Sequence, residues 1–158
     1  ETALRAWREI GLSVARAGLR KIVIVNSHGG NLDLISILAR ELRVEAGMLA
    51  IKCQWGSFGA PEGLFSDRET GFGILGGDRE TSLMLHYLPH LVSLDKIPND
   101  PPADFPPYDM YPTRTEWVPP SGVLSSALGS TAEKGARMAD DIVTGIAAAV
   151  RHEFKLEA

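Results

Sequence analysis

The run Asn26-Ser27-His28-Gly29-Gly30-Asn31 brings an imidazole, two carboxamides and a hydroxyl onto one short glycine-containing turn. It follows the apolar residues Ile22-Val23-Ile24-Val25 and precedes a helical pattern, so the spacing places it at the carboxyl end of a buried strand. In open α/β sheets that is where ligands bind. The paired glycines let backbone and ligand approach closely, and Asn31 can cap the helix that follows. His28, at the tip, can present its ring to a metal or a substrate. A purely structural histidine is the alternative.

A second stretch, Gly76-Gly77-Asp78-Arg79-Glu80-Thr81-Ser82, has two glycines followed by acids and hydroxyls at a helix start. Such a start could hold an anion, bind a metal through Glu80, or be no more than a well-capped helix; capping is the simplest of the three. Three further histidines, His86, His90 and His152, stand on or just after helical patterns and read as structural. Cys53, the single cysteine, lies in a strand-like run with no histidine near it in sequence and reads as a small core residue. The chain has no Walker loop, no GxGxxG after a strand, no HExxH and no GxSxG.

The elements that position these residues alternate. Leu4, Trp7, Ile10, Val14 and Ala15 recur at helical spacing over Thr2–Ala17, with Gly18 as a stop; Leu19–Asn26 reads as a strand covered on both faces. A helix over Leu32–Ala46 carries Leu34, Ile35, Leu38 and Leu42 on one side and ends at Gly47, and Met48–Trp55 supplies a second strand. This order argues for right-handed βαβ crossovers in an α/β protein, with no internal repeat beyond the alternation.

An irregular segment then runs from Gly56 to Gly77, long enough to suggest function or disorder. A short helix over Asp78–Leu88 is expected to bury Met84, Tyr87 and Leu88. Residues 95–120 hold eight of the ten prolines, with Phe105, Tyr108, Tyr111 and Trp117 among them, and read as an extended arm lying on another surface. The last helix opens with a capping-box pattern, Ser130-Thr131-Ala132-Glu133, and carries the core-facing stripe Ala139, Ile142, Val143, Ile146 and Val150 down to Phe154.

With 158 residues and 44% hydrophobic content, the chain suits one domain with a real core. A net charge of -4 and no Lys or Arg cluster argue against nucleic acid as a partner. No apolar run reaches membrane-spanning length, and one cysteine fits a reducing cytoplasm. The chain enters a helical pattern at once, without an initiator methionine; the expectation is a piece of something longer, with N-terminal strands missing.

Asn26-Ser27-His28-Gly29-Gly30-Asn31, Gly76 to Ser82, Pro106-Pro107-Tyr108-Asp109, Gly122-Val123-Leu124-Ser125-Ser126-Ala127 and Glu133-Lys134-Gly135 together resemble the ordered landmarks of the creatininase (creatinine amidohydrolase) family. The resemblance covers nearly the whole chain. It implies a three-layer α/β/α sandwich with a mostly parallel sheet, assembled as a homohexamer. It also implies a divalent-metal site of zinc or manganese type, with iron as a further option, that hydrolyses a C–N amide bond in a small cyclic amide or formamide. A metal pair of this kind makes bound water more acidic, polarises the amide carbonyl and stabilises the oxyanion.

By that resemblance His28 matches a metal-ligand histidine, Glu80 is a second metal candidate, and Gly29, Gly30, Asn31, Gly76, Gly77 and Asp78 are candidates for the substrate pocket. The family's Glu-x-His-Gly segment and bridging aspartate have no counterpart in these 158 residues, so the metal could be absent from this chain alone. Gly30 stands where creatininase carries a further glutamate ligand, and Gly71 and Phe72 where a tryptophan and an aspartate flank creatinine. Leu75 occupies the position of the family's proton-transferring histidine, and a leucine cannot shuttle a proton. Two functions follow as expectations: a metal-dependent amidohydrolase in full-length form, or a relative that has lost catalysis and acts in binding or assembly.

Overall fold

The helical spacing at the amino end forms α1 (Thr2–Arg16), and the first β-branched run forms β1 (Lys21–Asn26) in a computed structural model that describes residues 1–97 and 123–156. Gly18, at φ +90°, turns the chain between them. A 3-10 turn, Gly29–Asn31, leads into α2 (Leu32–Ala46), which Gly47 closes in the left-handed conformation at φ 62°. β2 (Leu49–Gln54) then returns beside β1. The two strands run parallel, in register from Lys21 against Leu49 to Asn26 against Gln54, with α2 as the crossover. A 3-10 turn at Trp55–Phe58 ends this half.

The chain divides into two compact units, residues 1–59 with 142–158, and residues 60–141. In the first, Leu38, Leu42 and Met48 are buried, and Leu4, Trp7, Leu12, Ile22 and Ile24 pack against them. Two strands alone are marginal, so the packing of α1 and α2 is what makes this sheet stable. Gly11 is buried where α1 crosses α2: a methyl group there would lie 2.5 Å from Leu42 Cδ2. Ile10, expected in the buried stripe of α1, is exposed instead, because the close approach at Gly11 sets which face turns inward.

The second unit holds α3 (Asp67–Phe72), α4 (Asp78–Tyr87) and the first turns of α5 (Ala132–Phe154). Its buried apolar residues are Phe65, Leu83, Leu85, Leu124, Ala127, Met138 and Ala139. α3 corrects the reading of 56–77 as wholly irregular. Ser66 starts it by accepting the Glu69 N–H at 3.1 Å.

The buried side of α4 also differs from expectation. Ser82, Leu83 and Leu85 are buried, whereas Met84, Tyr87 and Leu88 are exposed, because Ser82 accepts the Thr131 N–H and Asp78 pairs with Lys134, which turns that side of the helix toward α5. On α5, Ala139 and Ile142 are buried as expected, but Val143 is exposed. Its cap is Thr131, whose Oγ1 accepts the Lys134 N–H at 3.2 Å, one residue later than the pattern suggests.

The architecture is thus a mixed α/β one, mostly helical with two parallel strands among the described residues. β1 is not covered throughout: Val25 is 55% exposed. Cys53 is buried and free. Of the proline-rich segment 95–120 only the first three residues are described; the arm expected there lies outside the described residues. No helix among the described residues is long and apolar enough to cross a membrane.

Candidate active-site turns

At the end of β1, Asn26 is buried and spends its side chain on its neighbours. Its Nδ2 donates to the His28 carbonyl at 2.7 Å and to Gln54 Oε1 at 2.5 Å, and its Oδ1 accepts from Asn31 Nδ2 at 3.2 Å. The parallel register is what sets Gln54 beside Asn26. These bonds fix the turn from below while His28 stays exposed on top, with extended backbone at φ -130° and ψ 124°.

The imidazole lies over Gly30: a methyl group on that glycine would come 2.8 Å from Nε2, so glycine leaves the ring its space. Among the described residues the ring has no hydrogen-bond partner. Asn31 does not cap α2, as its amide is engaged by Asn26 and the 3-10 turn precedes the helix.

The Gly76-Gly77 turn is built differently. Gly76 sits at φ +66°, which suits glycine. Glu80 Oε2 accepts the Gly76 N–H at 2.7 Å, so the carboxylate caps its own helix start. Asp78 is buried; its Oδ1 accepts from Ser82 Oγ at 3.0 Å and its Oδ2 pairs with Lys134 Nζ at 2.6 Å. Ser82 Oγ in turn accepts the Thr131 N–H at 3.2 Å, and a methyl group on Gly135 would run into the Ser82 carbonyl.

The Leu75 carbonyl accepts the N–H groups of Leu124 and Ser125, at 3.0 and 3.2 Å, and Ser125 Oγ accepts the Ile74 N–H at 2.8 Å. The Leu75 side chain is left 39% exposed on this fixed backbone. Among the described residues, the landmarks at 76–82, 123–127 and 133–135 are therefore one polar assembly.

His28 belongs to the first compact unit and Glu80, Gly76, Gly77 and Asp78 to the second. No group of three His, Cys, Asp or Glu side chains able to hold a metal exists among the described residues. A divalent ion needs three or more protein ligands for tight binding, so these residues do not make a complete site, and His28 offers one ligand. Elsewhere, burial pushes the Cys53 thiol above its ordinary 9.0. At α5 a backbone N–H and the Thr131 hydroxyl hold Glu133 below its ordinary value.

Sequence reasoning missed Gln54 and Glu69. Nothing local marks Gln54, whose role comes from strand register. Glu69 had a signal: Asp67-Arg68-Glu69-Thr70 repeats the tetrapeptide Asp78-Arg79-Glu80-Thr81, and both open helices.

The model of the creatininase family, described as creatinine amidohydrolase, matches residues 1–150. The chain is 37% identical over 158 residues to a creatinine amidohydrolase of Pseudomonas putida, covering 93% of this chain and 61% of that protein. It is 30% identical over 135 residues to a mycofactocin precursor peptide peptidase of Mycobacterium ulcerans, covering 80% of this chain and 48% of that one. It thus spans about half to three-fifths of the length of these relatives.

Solved creatininase structures match over 97% of this chain and 64% of theirs. They include a manganese form and a glutamate-to-glutamine variant of Zn–Zn type, each at TM-score 0.75 and 35% identity. A variant of the same kind complexed with creatine matches at TM-score 0.76 and 36% identity. With its family model matched over nearly its whole length, the chain belongs to the creatininase family.

Proposed function

We propose that this chain is the larger part of a metal-dependent amidohydrolase that cleaves a C–N amide bond in a small cyclic amide or formamide, with His28 as one ligand of its divalent metal. One observation carries the reading: an exposed imidazole, free of partners among the described residues, stands at a strand end on a turn braced by Asn26 and Gln54. The zinc and manganese forms of related structures support the class of metal. The remaining ligands, the three-layer sandwich and the hexamer belong to a protein of the relatives' full length. In this reading the 158 residues form one creatininase-like domain with segment 95–120 as an arm, and the free, buried Cys53 suits a reducing cytoplasm.

Glu80 is committed to the Gly76 N–H, so its part is to fix the helix start. A second reading, a binding or assembly protein without catalysis, is favoured by Leu75, which stands where the family's proton-transferring histidine is expected. The test is hydrolysis of a panel of cyclic amides, formamides and short peptides by the longest gene product that contains this chain, with zinc or manganese supplied and with chelator. Metal-dependent turnover of one class supports the enzyme. Stoichiometric metal with no turnover in either the parent or Leu75→His supports the noncatalytic relative.

A further inference from the structure

Glu69 is a buried carboxylate, 8% exposed, that no part of the proposed reaction uses. It stands third in a helix opened by Ser66, so a capping box would send its side chain back to the Ser66 N–H. Instead the side chain leaves its own helix, and Oε1 accepts the Arg79 N–H at 3.0 Å, in the first turn of α4. The cap residue of α4 is Gly77, which has no side chain to offer.

The glycines nearby fit this carboxylate. Gly73 and Gly77 have φ of -65° and -80°, open to any residue, so their lack of a side chain answers to space alone. A methyl group on Gly77 would lie 2.5 Å from both Glu69 carboxylate oxygens and 2.7 Å from Ser125 Cβ; one on Gly73 would lie 2.5 Å from the Glu69 carbonyl oxygen and 2.9 Å from its Oε2. Glu80 meanwhile holds the Gly76 N–H. The glutamates of the two repeated tetrapeptides thus close on one turn from opposite ends: Glu69 satisfies a first-turn N–H that α4 leaves over, and Glu80 the N–H of Gly76 just before the helix. Negative charge there also faces the positive end of the helix dipole.

We propose that Glu69 is a positioning residue: it supplies the cap that Gly77 cannot, and so fixes the turn over residues 74–77 on which position 75 stands. Its effect on turnover rests on the amidohydrolase reading; its effect on the turn does not.

The test compares Glu69→Gln with Glu69→Ala in the longest gene product. Amide hydrogen exchange is read at Arg79 and Gly76, and kcat and KM are measured on whichever substrate the parent turns over. The Gln side chain keeps an acceptor oxygen, so protection at Arg79 and kcat both stay near parental. In Glu69→Ala, protection at Arg79 falls by roughly fivefold or more, as loss of a cap requires, and kcat falls with KM little changed. If the Ala variant does not fold, Glu69→Asp, one methylene short of Arg79, takes its place.

Unchanged protection at Arg79 in the Ala or Asp variant overturns the proposal. So does a Gln variant that keeps that protection yet loses kcat, which would make the charge itself the active element. A parent without turnover defeats the amidohydrolase reading alone, because the exchange measurement still decides the role of Glu69.

Discussion

The two turns that carry the chemistry-bearing residues are built on opposite plans. At the end of β1, uncharged amides do the bracing, and the one titratable group, His28, is left exposed and without a partner among the described residues. At the start of α4 the carboxylates of Glu69, Asp78 and Glu80 are each spent on a backbone N–H, a hydroxyl or Lys134. A side chain consumed by its own scaffold is not free to take a ligand without a cost in stability, whereas one held up by its scaffold is. The first turn therefore leaves its titratable side chain free among the described residues, and the second spends its carboxylates on its own shape.

That contrast predicts where substitutions cost stability. The largest loss is expected from Gly135→Val, whose added carbons meet the Ser82 carbonyl at the crossing of α4 and α5: about 3 kcal/mol or more, since backbone there cannot yield. Urea denaturation measures it, and a loss below roughly 1 kcal/mol would mean that the crossing is looser than described.

Lys134→Met leaves Asp78 buried beside a methylene chain. Its cost is about 1–3 kcal/mol, below the value for a fully buried pair because the lysine is 27% exposed. Asn26→Ala removes the amide shared by Gln54, Asn31 and the His28 carbonyl, for about 1–3 kcal/mol, and loosens amide exchange in residues 28–31. If Asn26→Ala left that exchange unaltered, the bracing of the turn after β1 would have to come from elsewhere.

The smallest effect is electrostatic. Cys53 titrates above its ordinary 9.0 because burial penalises the thiolate, so its contribution to stability is complete below pH 9 and is lost as the pH rises through the folded thiol's pKa. Cys53→Ala should remove that alkaline decline and leave the rest of the pH profile as it was. A decline that persists in the variant assigns it to another group.

Much of the frame was legible from the sequence because it rests on local signals. The β-branched run Ile22 to Val25, the stripe Ile35, Leu38 and Leu42, and glycines at 18 and 47 mark elements by period and by φ, and the structure forms those elements. What escaped depends on partners distant in sequence. Which side of α4 is buried follows from Ser82 meeting Thr131 and Asp78 meeting Lys134, so a hydrophobic pattern pointing to Met84 and Tyr87 misleads. Val143 and Ile10 fail for the same reason, since helix rotation is set by close approaches at single glycines on α1 and α5. Glu69 and Gln54 take their roles from bonds across 10 and 28 residues.

The claim beneath this account is that His28 holds metal, and metal content tests it without requiring a substrate. The longest gene product containing this chain, loaded with zinc or manganese and freed of excess, is compared with its His28→Ala variant by elemental analysis and by urea denaturation. Bound metal is predicted to fall sharply in the variant, while metal-free stability shifts by no more than about 0.5 kcal/mol, as for an exposed side chain that rests only over Gly30. Full metal stoichiometry in His28→Ala would contradict it.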